Sequence, residues 1–324
     1  MNENKKKCAL LIAYFGSFNE YFSLFLKSCE KNPSFQWIIF TDCTKEYDYP
    51  SNVEIVKMSF QQVKARAEEK FGFKVSMETP YKLCDYKPVY GFLFEEYLEG
   101  YEYWGHCDCD LIFGNLEKLL TPLLEDNYDK LFAAGHLTIY KNNPENNRRF
   151  MKEYNGKCLY KEAFTTNEIY AFDEDCRDNY NVHSIFLQDG AKVYQKDMSM
   201  NPTISCAKFV RAYYDEKIHN FVKEDYKKAR YYWDNGSVIR LHLTENDFEK
   251  TEFLYIHLQM RKMRNKIKSM DSVIEILPDR FINVAGLPKS KKEFRSYSAS
   301  FSYFYWVDVY KKKIRRKIKE IFKK

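Results

Sequence analysis

Two aspartates one residue apart interrupt an apolar part of the sequence. Asp108 and Asp110 lie in GHCDCDLIFG, between the aromatic run YEYW and the apolar run LIF. Side chains two residues apart on an extended chain point to the same side, so both carboxylates can approach one cation. Burial of two like charges is costly unless a metal or a cationic partner neutralises them. The pair therefore predicts a divalent metal site, and a surface turn is the alternative.

Three charged residues upstream could bind a diphosphate beside such a metal. Lys82, Asp85 and Lys87 lie close together in PYKLCDYKP. The chain contains neither G-x-G-x-x-G nor a Walker A sequence, so no glycine-rich phosphate loop is expected. A metal ion together with lysine or arginine side chains could hold the phosphates instead. The alternative is that these three residues form the solvated start of a helix.

The surrounding pattern predicts an α/β domain with a largely parallel sheet. CALLIAYFG, WIIFTD and VEIVKMS are typical of buried strands, and helices are expected over residues 19–30 and 59–70. A further helix over residues 85–98 precedes the strand YEYWGHC, which places Asp108 at a carboxyl strand end, where open α/β sheets bind ligands. Shorter strands are predicted after residue 130, namely KLFAAG, LTIY, AKVYQ, SVIRLHL and FLYIHL.

Composition and charge separate the chain into a body and a tail. Its 324 residues are 45% hydrophobic, which is enough for a sizeable core. The last fourteen residues, KKKIRRKIKEIFKK, carry a formal charge of +8, whereas the whole chain carries +6, so the rest is slightly acidic. We expect one domain over residues 1–300 and an aromatic, basic, amphipathic helix over residues 301–324. This tail could be a solvated helix or could dock on an anionic membrane, whereas nucleic-acid binding is not expected.

The cysteines and the apolar segments indicate the compartment. The nine cysteines lack a framework spacing, so reduced thiols are expected, and the pair in CDC has no second pair to complete a zinc site. No apolar run is long enough to cross a membrane, and the amino-terminal segment is more typical of a strand than of a signal peptide. These features predict a cytoplasmic protein that could bind the inner face of the membrane.

The segment PYKLCDYKPVYGFLFEEYLEGYEYWGHCDCDLIFGNL resembles the core of nucleotide-sugar glycosyltransferases of the GT-A fold. Together with AYFGSFNEYFSLFLKSCEKNPSFQWIIFTDC it also resembles a family of bacterial polysaccharide-locus proteins described only as a domain of unknown function, over roughly residues 7–265. The resemblance implies a GT-A-like, Rossmann-type mixed sheet flanked by helices. It also implies a nucleotide-sugar donor, with UDP expected, and Mn²⁺ or Mg²⁺. Asp108 would contact the metal or the ribose, and Asp110 would coordinate the metal directly.

The same resemblance suggests roles for two later segments. In metal-dependent retaining GT-A enzymes a histidine after a late strand completes the metal site and a basic residue beyond it meets the diphosphate. FLYIHLQMRKM offers His257, then Arg261 and Lys262, although the glycine and Lys-Pro-Trp context of the glycogenin-like families is absent and a core histidine is the alternative. In FTTNEIYAFDEDC, Asp173 and Glu174 are the candidates for contact with sugar hydroxyls, and a charged loop that caps the following helix is the alternative. The remaining candidate is His106, a sequence neighbour of the aspartate pair.

Together these features predict a metal-dependent glycosyltransferase that acts on a cell-surface glycan such as capsule or lipopolysaccharide. In an inverting reaction a carboxylate such as Asp173 could deprotonate the acceptor, whereas a retaining reaction needs no such base. One alternative is a metal-dependent phosphoester hydrolase, although the sequence offers no second metal cluster with suitable spacing. The other is a membrane-docked module that binds a glycan or nucleotide without catalysis.

Overall fold

A seven-stranded sheet organises the amino-terminal part of the chain. The computed structural model describes residues 6–176, 180–203, 208–226, 228–245, 247–259, 261–296 and 303–321. In spatial order the strands are β3 (Val53–Lys57), β2 (Phe35–Thr41), β1 (Lys6–Ala13), β4 (Tyr101–Cys107), β7 (Leu137–Lys141), β6 (Lys130–Leu131) and β8 (Val193–Tyr194). Of these seven, only β7 runs antiparallel to its neighbours. The predicted mixed, mainly parallel sheet is thus confirmed.

Strand β1 shows why its sequence is a continuous apolar run. Ala9 and Leu11 belong to the core on one face of the sheet, whereas Leu10 and Ile12 belong to the core on the other face. Because both faces are covered, no polar alternation is needed. The α-helices in the described part of the chain are α1 (Phe22–Glu30), α2 (Phe60–Phe71), α3 (Tyr90–Leu93), α4 (Leu116–Leu119), α5 (Thr121–Glu125), α6 (Leu159–Thr165), α7 (Val182–Gln188), α8 (Lys291–Ser296) and α9 (Tyr303–Ile321). None of the helices in the described residues is long and apolar enough to span a bilayer.

Capping residues define the start and the end of helix α2. The Ser59 hydroxyl accepts a hydrogen bond from Gln62 N at 3.2 Å, and the Gln62 side chain accepts one from Ser59 N at 2.7 Å, which forms a capping box. Gly72 ends the helix in the left-handed region, at a φ of 72°. Asn115 likewise caps α4 by accepting a hydrogen bond from Lys118 N at 2.9 Å.

The prediction of one helix over residues 85–98 is wrong in both the type and the extent of the helix. The chain instead forms a 3₁₀-helix over Pro80–Val89, the short helix α3, and a second 3₁₀-helix over Glu95–Leu98. Pro88 lies inside the first of these, and a proline in an α-helix interior lacks the N–H donor and clashes with the preceding turn. A third 3₁₀-helix covers Asn146–Met151. Lys82, Asp85 and Lys87 therefore lie within the 3₁₀-helix that precedes α3.

Two smaller sheets and a hairpin complete the fold. A three-stranded sheet has the order β5 (Leu111–Phe113), β15 (Tyr255–His257) and β9 (Ser199–Met200). A six-stranded sheet contains β14 (Phe248–Phe253), β13 (Ser237–Leu243), β12 (Ala229–Asp234), β17 (Ile274–Leu277), β18 (Arg280–Asn283) and β16 (Arg264–Lys266), and β10 (Arg211–Asp215) pairs with β11 (Asn220–Glu224). The predicted strand FLYIHL is therefore divided between two sheets at Leu254.

Gly114 allows β5 to approach the chain between β14 and β15. Its N–H donates a hydrogen bond to Leu254 O at 2.7 Å, and a Cβ on this glycine would overlap Phe253 O. Because the obstructing atom belongs to the backbone, it cannot rotate away as a side chain could.

We expect Gly114→Ala to lower the free energy of unfolding by about 1–3 kcal/mol through overpacking and to disturb the β5–β15 pairing. Denaturant titration measures the effect. The control is Gly286→Ala, since a Cβ at that glycine would meet no atom within 4 Å. Equal stabilities of the two variants would contradict the role given to Gly114.

Candidate functional site

The pairing of β5 with β15 brings His257 beside the aspartate pair. His257 lies opposite Leu111 in the register of the two strands, and Leu258 N donates a hydrogen bond to Asp110 O at 3.0 Å. His257 Nε2 lies 3.2 Å from Asp110 Oδ1 and 3.6 Å from Asp108 Oδ2. Three side chains nominated from distant parts of the sequence therefore form one cluster, which we call the carboxylate–histidine cluster.

The carboxylate–histidine cluster suits a divalent cation. Each residue offers one donor atom, and these atoms lie within 4.8 Å of one another. Carboxylate oxygens are the preferred ligands of Mg²⁺ and Mn²⁺, and an imidazole nitrogen is compatible with Mn²⁺. All three side chains are partly exposed, so further ligands can reach the centre from solvent. The donor set thus fits a cation that keeps open coordination positions.

Electrostatics within the cluster favour the charged forms of its members. Burial opposes ionisation of Asp110, but the positive charge and hydrogen bond of His257 outweigh it, and the pKa of Asp110 is lowered. Burial also disfavours the His257 imidazolium, yet the Asp110 carboxylate outweighs that effect, and the pKa of His257 is raised above 6.5. Without a metal, a proton on His257 therefore provides part of the positive charge that the carboxylates require.

His257 is held in place by residues that the sequence did not single out. Its Nδ1 lies 3.2 Å from Asn201 Oδ1, an arrangement that directs Nε2 toward the carboxylates. His136 packs against the His257 ring with a centroid separation of 4.6 Å, and His136 Nδ1 lies 2.7 Å from Tyr255 Oη. The alternation of side chains along a strand puts Tyr255 and His257 on one face, but His136 and Asn201 lie in segments with no motif.

Lys87 joins the cluster to the predicted catalytic carboxylate Asp173. Its Nζ lies 2.6 Å from Asp108 Oδ1 and 3.4 Å from Asp173 Oδ2, and it donates a hydrogen bond to Gly135 O at 3.1 Å. Burial disfavours the ammonium, but Asp108 and Asp173 outweigh it and raise the pKa of Lys87 well above its usual value. Lys87 is therefore a fixed positive charge between two acidic groups.

Asp173 lies in a buried position beside Gly135. A Cβ on Gly135 would collide with Asp173 Oδ2, so the glycine makes room for this carboxylate. Burial raises the pKa of Asp173 to about 7, while Lys87 opposes the rise and Glu174 adds to it. Glu174 is half-buried at the next position. A carboxyl group with such a pKa can exchange a proton near neutral pH.

Lys82 and Asp85 form an ion pair inside the protein. Lys82 Nζ lies 2.7 Å from Asp85 Oδ2, and both side chains are buried. The Asp85 carboxylate also accepts hydrogen bonds from Tyr170 N and Phe172 N, each at 3.0 Å. These contacts fix the backbone directly before Asp173. Cys84, Asp85 and Asp173 also lie close enough to form a candidate metal set, but both oxygens of Asp85 are already engaged with the backbone.

The backbone after Asp173 is fixed in a comparable way. Asp175 N donates a hydrogen bond to Ala133 O at 3.0 Å. The Asp175 carboxylate accepts hydrogen bonds from Asn181 Nδ2 at 2.9 Å and from Tyr214 Oη at 2.6 Å. A small recess of about 10 Å³ lies beside Tyr214, with Ala133, Ala134, Gln195, Asp197, Tyr214 and Tyr255 among its lining residues. Asp173 thus lies between two anchored points of the chain.

The remaining candidates lie apart from these contacts. The Arg261 guanidinium is buried and donates hydrogen bonds to Pro278 O, at 3.1 Å, and to Thr203 O. Lys262 is exposed. His106 is fully buried within the central sheet between β1 and β7, and burial lowers its pKa well below 6.5. The cysteines in the described part of the chain are free.

We expect Asp110→Asn and His257→Ala each to weaken Mn²⁺ binding by roughly a hundredfold or more, because each removes a ligand. Isothermal titration calorimetry measures the affinity, and Asp271→Asn is the control because Asp271 is 84% exposed and away from the cluster. Since the metal must displace the His257 proton, affinity should rise about tenfold per pH unit below the pKa of His257 and level off above it. Unchanged affinity in Asp110→Asn would contradict the assignment.

We expect Asp85→Asn to lower the free energy of unfolding by about 3–5 kcal/mol, because the Lys82 ammonium would be left buried without its partner. Urea titration measures the loss. Glu78→Gln is the matched control: it breaks the surface pair with Lys64, which spans 3.0 Å and should contribute less than about 1 kcal/mol. Similar decreases in the free energy of unfolding of the two variants would contradict the expectation that the buried pair matters more than the surface pair.

Two of the solved structures that are similar to this chain are of one galactosyltransferase. The galactosyltransferase LgtC, in complex with donor and acceptor sugar analogs, is 10% identical and aligns over 60% of this chain and 76% of its own, with a TM-score of 0.32. An active-site variant of LgtC gives 11% identity, the same coverages and a TM-score of 0.31. Similarity at this level leaves the function to be argued from the residues of the chain.

The curated proteins include no match to the sequence. The profile of a family of unknown function, DUF6625, matches residues 10–285, which is most of the chain. The protein therefore belongs to the DUF6625 family.

Proposed function

We propose that this protein is a metal-dependent glycosyltransferase that uses a nucleotide-sugar donor, with UDP as the nucleotide. The observation that carries the proposal is the meeting of Asp108, Asp110 and His257 just beyond the carboxyl end of β4. Parallel α/β sheets bind their ligands at this end. When bound, the metal would neutralise the diphosphate and stabilise the charge that develops on the leaving group.

The residues around the cluster would divide the remaining work. Asp108, Asp110 and His257 hold the cation, and Asn201 keeps the His257 ring in the required orientation. Lys87 supplies a fixed positive charge within 3.4 Å of both Asp108 and Asp173, next to the place where the diphosphate would lie. Such preorganised charges favour the transition state without reorganisation of solvent.

Asp173 is our candidate for the proton acceptor in an inverting reaction. The acceptor oxygen would form its bond to the anomeric carbon while the bond to the diphosphate oxygen breaks, and the hydroxyl proton would pass to the Asp173 carboxylate. The pKa of about 7 suits this transfer. In a retaining reaction the leaving phosphate oxygen would take the proton, and Asp173 and Glu174 would hold sugar hydroxyls. The anomeric configuration of the product decides between these two reactions.

The diphosphate contacts and the acceptor are also part of the proposal. Lys262, which is exposed, is our candidate for a phosphate contact, whereas Arg261 would support the same segment through its hydrogen bonds to the backbone. Lys82 and Asp85 would act indirectly, by positioning the backbone before Asp173. The resemblance of the sequence to polysaccharide-locus proteins favours a hydroxyl of a cell-surface glycan as acceptor.

The geometry favours a transferase over a phosphoester hydrolase. Two-metal hydrolysis requires a second set of open ligands about 3.5–4 Å from the first metal. Among the described residues the second candidate set is Cys84, Asp85 and Asp173, in which Asp85 is already committed to backbone N–H groups and to Lys82. A single metal centre with a neighbouring acid suits transfer from a diphosphate donor.

We expect UDP release from at least one of a panel of UDP-sugars in the presence of Mn²⁺. Asp173→Asn should lower kcat by about 10²–10⁴-fold while UDP binding persists, because the carboxylate that takes the proton is lost. Asp110→Asn should abolish metal-dependent UDP binding, and Asp271→Asn should behave as wild type. Cleavage of phosphodiesters without UDP release would indicate the hydrolase, and UDP binding without turnover of any donor would indicate a binding module.

A further inference from the structure

Helix α9 presents an exposed apolar stripe. Tyr310, Ile314 and Ile318 are 59%, 57% and 47% exposed, and they follow one another at four-residue intervals along one side of the helix. Trp306 extends the stripe, because its ring lies 6.1 Å from the ring of Tyr310. Large apolar side chains are normally buried, so a continuous row of them in solvent indicates a surface that a partner covers.

The part of the helix that follows Tyr310 is strongly basic. The exposed cations beside the stripe are Lys311, Lys312, Lys313, Arg315, Arg316 and Lys317. This charge contrasts with the slightly acidic remainder of the chain. The partner must therefore offer negative charge and an apolar layer within the width of one helix. A bilayer with anionic headgroups has both, since phosphates lie directly above the acyl chains.

We propose that α9 docks on an anionic lipid bilayer, lying in the plane of the interface with the Tyr310–Ile314–Ile318 stripe inserted between the headgroups. Its nineteen residues would extend for about 28 Å along the surface. Its lysines and arginines would remain at the level of the phosphates, where long basic side chains are favoured. This inference goes beyond the proposed function and does not depend on it. A nucleic acid would satisfy the charges but would leave the isoleucines in water.

The test is co-sedimentation of the full chain with phosphatidylcholine vesicles that do or do not contain phosphatidylglycerol. We expect binding only to the anionic vesicles and weaker binding in high salt. Ile314→Ser with Ile318→Ser, which keeps every charge, should weaken binding at least tenfold. Arg315→Gln with Lys317→Gln, which keeps the stripe, should weaken it to a similar extent. Circular dichroism of each variant verifies that the protein remains folded.

The matched control for the stripe is Ile218→Ser. Ile218 is 58% exposed, in the turn between β10 and β11, and its replacement should leave vesicle binding unchanged. Lys74→Gln is the charge control, because Lys74 is exposed after α2. Wild-type binding by the Ile314/Ile318 variant would overturn the proposal. So would equally tight retention of wild type and of this variant on duplex DNA, since that result would identify α9 as a general polyanion binder.

Discussion

The mutual repulsion of Asp108 and Asp110 is the constraint around which the candidate site is built. Two carboxylates on one side of the chain beyond β4 need positive charge close by, and the fold provides it from two directions. His257 comes from β15, which pairs with β5, while Lys87 comes from the 3₁₀-helix before α3. A divalent cation would neutralise the two carboxylates more fully. Cation binding should therefore stabilise the pairing of β5 with β15, in addition to any effect on substrate binding.

The buried carboxylates in the neighbourhood fall into two classes that burial alone does not separate. Asp85 and Asp175 accept hydrogen bonds from backbone and side-chain donors on both sides of the segment that carries Asp173. Asp173 itself faces Lys87 and the space left by Gly135. The first two carboxylates resemble structural anchors, whereas the third retains a raised pKa and access to a proton.

The parts of this arrangement that local sequence encodes were predictable. The apolar segments CALLIAYFG and WIIFTD predicted β1 and β2, VEIVKMS predicted β3, and a helix was expected from residue 59, where Ser59 caps α2. Other features depend on distant partners. The sequence around Asp85 does not show that its carboxylate will accept hydrogen bonds from the backbone N–H groups of Tyr170 and Phe172. The division of FLYIHL at Leu254 likewise follows from pairing with two different sheets, and His136 and Asn201 became relevant only when the chain placed them against His257.

The long sequence separation between strands β5 and β15 affects how the protein folds during translation. His257 follows Asp110 by 147 residues, and closure of so long a loop must precede the contact between them. During synthesis the aspartates therefore leave the ribosome long before the histidine does. The central sheet, whose strands β1 to β4 lie within the first 107 residues, can form in the meantime. The nascent chain contains all three residues of the carboxylate–histidine cluster only when about four-fifths of it has been translated.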